Sequence, residues 1–136
     1  MNQKRIEKMI PIAMVEIVNL GRILDTEGKL PSNYSGYVDS FGPTVRQSGL
    51  MQAVAFNEKN ENRQLINELL FKVIKECEKE TLNAFGRYGN LKELVASVTT
   101  SDNWKKKKLE SLVLEAAVAC KLAMRTFPKT KAADSE

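Results

Sequence analysis

The chain has 136 residues, with 21 Lys and Arg against 17 Asp and Glu, no histidine and two cysteines. That length suits one domain with its own core, while lone Cys77 and Cys120 and the missing histidine remove the usual zinc frameworks and the usual general base. The longest apolar run near the N-terminus, residues 10–15, contains Pro11 and ends at Glu16. It is too short for a signal segment or a membrane span, so the expectation is a cytoplasmic protein with reduced thiols and no membrane partner.

From Gln3 to Asp25, apolar residues recur at Ile6, Ile10, Ala13, Ile17, Leu20 and Leu24, one stripe at helical spacing. Pro11 lies inside it, so the helix either starts near Met9 or bends there. The segment TEGKLPSNYS is the first loop, with Gly28 as a C-terminal stop and Ser32 or Asn33 as the next N-cap. A second helix follows from about Tyr34. Its residues Tyr34, Tyr37 or Val38, Phe41 and Val45 stay in phase across Gly42-Pro43. Glycine costs about 1 kcal/mol in a helix interior and proline about 3, yet the pattern continues, which predicts one kinked helix and not two. Beyond the kink Val45, Gly49, Gln52, Ala53 and Phe56 lie along one side, with Gly49 leaving room for another backbone. Arg46 and Leu50 share the neighbouring face, Leu50 as an exposed apolar residue.

After the polar run NEKNEN, a third helix is drawn by Leu65, Ile66, Leu69, Leu70, Val73, Ile74 and Cys77, and FGRYGN ends it. Asn90 with Glu93 three residues on forms a capping box for a short fourth helix through Leu91, Leu94, Val95 and Val98. Ser101 or Asp102 caps the fifth, which runs through Leu109, Leu112, Val113, Ala116, Cys120, Ala123 and Phe127 until Pro128 stops it. The expected fold is all-α, a compact bundle of about five helices with a Gly-Pro kink in the second. Residues 1–127 form the single domain and 128–136 a disordered tail.

Charge is unevenly placed. Residues 105–131 hold eight Lys and Arg against two Glu, a net +6, whereas residues 1–104 hold 13 of each sign. Such asymmetry favours a polyanionic partner. The run Lys105, Lys106, Lys107 and Lys108 opposes the helix macrodipole at its own N-terminus; a solvated face and a phosphate contact explain it equally well. Lys121 and Arg125, four apart on the same helix, can reach neighbouring phosphates of one strand. Arg46 beside the kink reads either as a side chain lying across an apolar groove or as a phosphate contact. No phosphate-binding glycine loop is present, and the glycines of GRYG read as an ordinary loop. Cys77 and Cys120 take apolar phases and read as core residues. Trp104 reads as a packing anchor at the start of the helix.

The arrangement Y-x-x-Y-V-x-x-F-G-P-T-V-R-Q-S-G-L-M-Q-A-V-A-F, Tyr34 to Phe56, resembles the hallmark segment of the small-subunit family of the type III-B CRISPR effector, the Cmr complex. That segment has a proline-interrupted helix, a basic residue, then G-L-x-Q-x-x-x-F, matched by Gly49, Leu50, Gln52 and Phe56. A looser likeness covers Trp104, Glu115, Ala116, Lys121, Arg125 and Phe127. The resemblance implies a non-catalytic helical protein without cofactor or metal. Copies of it stack along the guide RNA and target RNA beside other effector subunits, touching the duplex through phosphates. On that reading Arg46, Lys121 and Arg125 face nucleic acid, joined on charge alone by Lys105 to Lys108. Gly49, Leu50, Gln52 and Phe56 serve helix or subunit packing, Gly49 through a close helix–helix contact either in the bundle or between stacked copies. The alternative is a helical adaptor whose basic helix docks an acidic protein partner; a small hydrolase ranks last.

Overall fold

Helix α1 (Gln3–Leu20) starts where Asn2 supplies a cap, its side chain accepting from the Arg5 N–H at 3.0 Å. In the computed structural model, which describes residues 1–86 and 88–130, it continues past Pro11 without interruption. Pro11 is exposed, so the carbonyl it leaves without a helical partner can be met by water. Met9, Ala13 and Ile17 form the buried stripe. The helix therefore begins well before Met9, and it stops at Gly21, in the left-handed region with φ 69°, rather than at Gly28. Gly28 instead belongs to a turn in which the Asp25 carboxylate accepts from the N–H groups of Glu27 and Lys29, both at 2.9 Å.

Two short parallel segments then join the loop before α2 to the residues that follow α7. Strand β1 (Leu30–Pro31) pairs with β2 (Lys129–Thr130), and the Leu30 N–H donates to the Pro128 carbonyl at 2.7 Å. Residues 128–130, read from the sequence as the start of a disordered tail, are thus paired to the first loop. The remainder of that expected tail, 131–136, lies outside the described residues.

Helix α2 (Ser32–Ser48) follows directly from β1, with Pro31 in the capping position and no side-chain cap from Ser32 or Asn33. It runs unbroken through Gly42 and Pro43. The break falls six residues later, at Gly49, after which α3 (Leu50–Asn57) begins. Gly49 has φ 95° and ψ 160°; its N–H closes α2 on the Val45 carbonyl at 2.8 Å and its carbonyl opens α3 to the Ala53 N–H at 3.1 Å. The single kinked helix expected from the sequence is two helices hinged on one glycine. Periodicity missed the break because Val45 before it and Leu50, Ala53 and Val54 after it all pack on the same core.

Helix α4 (Glu61–Cys77) is capped by Asn60, which accepts from the Arg63 N–H at 2.8 Å. A short α5 (Lys79–Ala84) follows after Glu78. Helix α6 (Leu91–Thr99) starts at Asn90 with the Glu93 N–H bound at 2.8 Å, and α7 (Asn103–Met124) starts at Asp102 with the Lys105 N–H bound at 3.0 Å. Helix α7 ends at Met124, three residues before Phe127, where the Lys129 ammonium closes on the Met124 and Phe127 carbonyls. The described residues thus hold seven α-helices rather than five, and the fold is all-α apart from the two-residue pairing.

Helix α7 is central, packed by α1, α2, α4 and α6. Its face of Leu109, Leu112, Val113, Ala116, Ala119, Cys120 and Ala123 is sealed in the core. Within this same buried side stands Glu115, only 1% exposed. Arg5 of α1 meets it through two hydrogen bonds of 2.5 and 3.0 Å, and the Asn2 N–H adds a third at 2.8 Å. No helix among the described residues is long and apolar enough to cross a membrane.

Candidate nucleic-acid interface

A helix turns about 100° per residue, so phase decides which cations of α7 act together. Lys106, Lys107, Lys121 and Arg125 fall within one sector of about 100° on its solvent side, whereas Lys105 and Lys108 project from the other side. The run of four lysines is therefore divided. Lys106 and Arg125 are separated by about 28 Å along the axis, with half-buried Leu114 and Val118 between them on the same face. Lys107 and Arg125 are exposed; Lys121 is half-buried.

Helix α2 supplies the fifth cation. The Arg46 guanidinium folds back along α2 over Gly42, one of its nitrogens 3.7 Å from where a Cβ at that position would sit, with Leu114 of α7 on the other side. Arg46, Lys121, Asp39, Gly42 and Leu114 line a cleft of about 250 Å³ between α2 and α7. Across its mouth Lys121 reaches Asp39 at 3.2 Å, both side chains about half exposed. Such a pair is worth at most about 1 kcal/mol, so it is not a lock. Arg46, Lys106, Lys107 and Arg125 make no ion pair among the described residues.

A second cleft, of about 260 Å³, lies further along α7, where Lys106 and Glu110 face Gly49, Leu50 and Gln52 at the α2–α3 junction. Gly49 has no atom within 4 Å of a would-be Cβ, so it makes no close backbone contact inside this chain. Its requirement is conformational. Leu50, read from the sequence as exposed, is buried, while Gln52 is exposed on the rim. Phe56 stands apart from the core at 44% exposure; Arg63 lies 4.8 Å from its ring centre and 4.3 Å from that of Tyr37, a cation held between two aromatic faces.

Trp104 is not a packing anchor: it is 67% exposed. Cys77 and Cys120 are buried, as their helical phase implied, and burial pushes both thiols up from their ordinary value. The feature the sequence reading missed is Glu115 with Arg5. The signal was available, because Glu115 lies three residues after Leu112 and four before Ala119, on the apolar phase. A carboxylate there requires a buried cationic partner.

A family model described as CRISPR-associated protein (Cas_Cmr5) matches residues 8–126. The chain belongs to this family. The match runs from the first turns of α1 to just past the end of α7, so the likeness read from residues 34–56 extends over the whole bundle. Cas_Cmr5 membership makes the chain a small subunit of the type III-B CRISPR complex, an assembly with other effector subunits. No curated protein and no solved structure matches the chain.

Proposed function

We propose that this Cas_Cmr5 chain is a non-catalytic structural subunit that stacks in copies along the guide RNA and target RNA and steadies their duplex through its phosphates. The observation that carries the reading is the α2–α7 face. Arg46 from one helix and Lys121 from another line a single cleft, with Lys106, Lys107 and Arg125 on the same side of α7. Cations in a row, of which only Lys121 has a carboxylate partner, the half-exposed Asp39, match a charged rail better than a compact ligand, and phosphate contacts fix position without reading sequence. Base pairing between guide and target then supplies specificity. A chain without histidine, its two thiols buried, supports leaving RNA cleavage to other subunits.

The test is duplex RNA binding by the full chain. Wild type should bind weakly, independently of sequence, and with steep salt dependence. Lys121→Glu with Arg125→Glu should abolish binding at moderate salt, and single neutral substitutions should each lower the salt slope by about 1. Retained duplex affinity in the double variant, or failure of that variant alone to join a reconstituted effector despite normal RNA binding, overturns the assignment. The second result would favour docking of an acidic protein on α7.

A further inference from the structure

A second cationic hollow shares no lining residue with the two clefts of the α2–α7 face. Between α4 and α5, Phe71, Leu82 and Tyr88 wall a cavity of about 380 Å³ whose rim carries Lys75, Lys79 and Asn83. A neighbouring groove of about 590 Å³ shares Phe71 and Lys75 with it and adds Arg22 and Lys72. Two of these four cations are partly committed: Arg22 pairs with Glu68 at 2.5 Å and Lys79 approaches Glu76 at 3.9 Å. Lys72 and Lys75 are exposed and make no ion pair among the described residues. The groove therefore keeps a positive excess.

Its aromatic wall is built in. Gly86 has φ 113°, and a Cβ there would stand 3.0 Å from two atoms of the Tyr88 side chain. The backbone angle favours glycine there, and a side chain would push the Tyr88 ring outward by a few tenths of an ångström, so the glycine of the GRYG stretch lets an aromatic sit close and does more than turn a loop. The cavity falls within the range of about 300–1,000 Å³ in which proteins take small ligands. An aromatic side chain flanked by spaced cations is the arrangement by which proteins hold single-stranded nucleic acid, one base stacked and its phosphates neutralised on either side; here Tyr88 is the half-buried aromatic, with Phe71 and Leu82 buried behind it.

We propose that this groove takes one nucleotide of a single-stranded RNA segment, its base against Tyr88 and Phe71 and its neighbouring phosphates on Lys72, Lys75 and Lys79. The inference is independent of the duplex-binding face. An acidic protein would use the lysines but has no need of the aromatic hollow between them.

The experiment uses the full chain carrying Lys121→Glu and Arg125→Glu, so that the α7 face is silenced, and follows the anisotropy of a 5′-labelled 12-nucleotide oligoadenylate at low salt. This background should still bind. Adding Lys75→Glu and Lys79→Glu should weaken binding at least about tenfold and lower the salt slope by about 1.4, the value for two single-strand phosphate contacts. Tyr88→Ala should weaken it about fivefold or more with the slope unchanged. Circular dichroism controls for folding, and Lys75→Gln with Lys79→Gln, expected to act in the same direction, serves if the glutamate variants misfold. No binding by the background protein overturns the proposal, as does an affinity within twofold after the lysine changes or after Tyr88→Ala. Displacement of the oligonucleotide by polyglutamate of equal charge would mark a protein-docking surface, and displacement by equimolar AMP would mark a free-nucleotide pocket; either result also overturns it. Duplex binding by the chain with an unaltered α7 face is scored separately, so either assignment can fail alone.

Discussion

Gly49 shows how one residue can be singled out on one ground while its own chain requires it on another. Its position in the G-L-x-Q-x-x-x-F pattern suggested a small side chain making way for a neighbour, yet no atom of this chain lies within 4 Å of the space a methyl would fill. The backbone at φ 95° and ψ 160° is the reason for glycine, because that region is closed to L side chains. Gly49→Ala should therefore destabilise the chain by about 1–3 kcal/mol, and Gly49→Leu should carry the same backbone cost with little added, since the Cβ itself meets nothing within 4 Å and the rest of the side chain enters the cleft beside Lys106. Urea unfolding of the two variants checks this. A leucine variant far less stable than the alanine one would restore the packing explanation. Arg46 illustrates the converse. Its residue type was noticed in the sequence, but only the bare backbone at Gly42 and the approach of Leu114 bring its guanidinium into the cleft beside Lys121.

At the level of the element, α2 keeps a proline in its interior without ending there. Pro43 cannot donate to the Asp39 carbonyl, and side-chain bonds surround the gap: the Thr44 hydroxyl donates to the Ser40 carbonyl at 2.8 Å and the Ser40 hydroxyl to the Tyr37 carbonyl at 3.1 Å. Restoring the donor with Pro43→Ala should stabilise the chain by about 1–2 kcal/mol, the helical gain less the entropy that proline removes from the unfolded state. Chemical denaturation measures it. A loss of stability would show that the cleft, which Pro43 also lines, is shaped around the ring. Helix α7 follows a simpler logic. Its apolar phase was legible residue by residue, and Leu109, Leu112, Val113 and Cys120 are all at 0% exposure. Each large aliphatic side chain sealed in this way contributes about 1.5–3 kcal/mol. The same phase rule separates Lys106 and Lys107 from Lys105 and Lys108, a division that treating the run as one block had hidden.

On the scale of the whole molecule, α1 and the residues just after α7 are each held by partners distant in sequence. The β1–β2 pairing holds the residues after α7, and Arg5 holds α1 to α7 through Glu115, 110 residues away. Arg5 also lies 3.6 Å from Glu78, so one guanidinium links α1 both to α7 and to the junction of α4 and α5. The hydrogen bonds to Glu115, ahead of the opposing effect of burial, hold its pKa above the ordinary arginine value. Removing Arg5 leaves the Glu115 carboxylate buried without its cation, which costs about 3–5 kcal/mol, whereas Arg5 without Glu115 still has Glu78. Because Arg5 retains some solvent access, Arg5→Ala should destabilise more than Glu115→Ala, and the double variant should lose clearly less than the sum of the two. A double-mutant cycle by thermal and urea unfolding reads this directly; additive losses would mean the pair is not coupled. Periodicity and caps are local, so the chain alone determined an all-α fold, the start at Asn90 and one at Ser101 or Asp102, the buried cysteines and the basic character of the last helix. Tertiary structure decided what depends on groups distant in sequence or on backbone angles that carry no periodic signal. These are the hinge at Gly49, the partner of Glu115, the meeting of Arg46 with Lys121, and the seating of Tyr88 on Gly86.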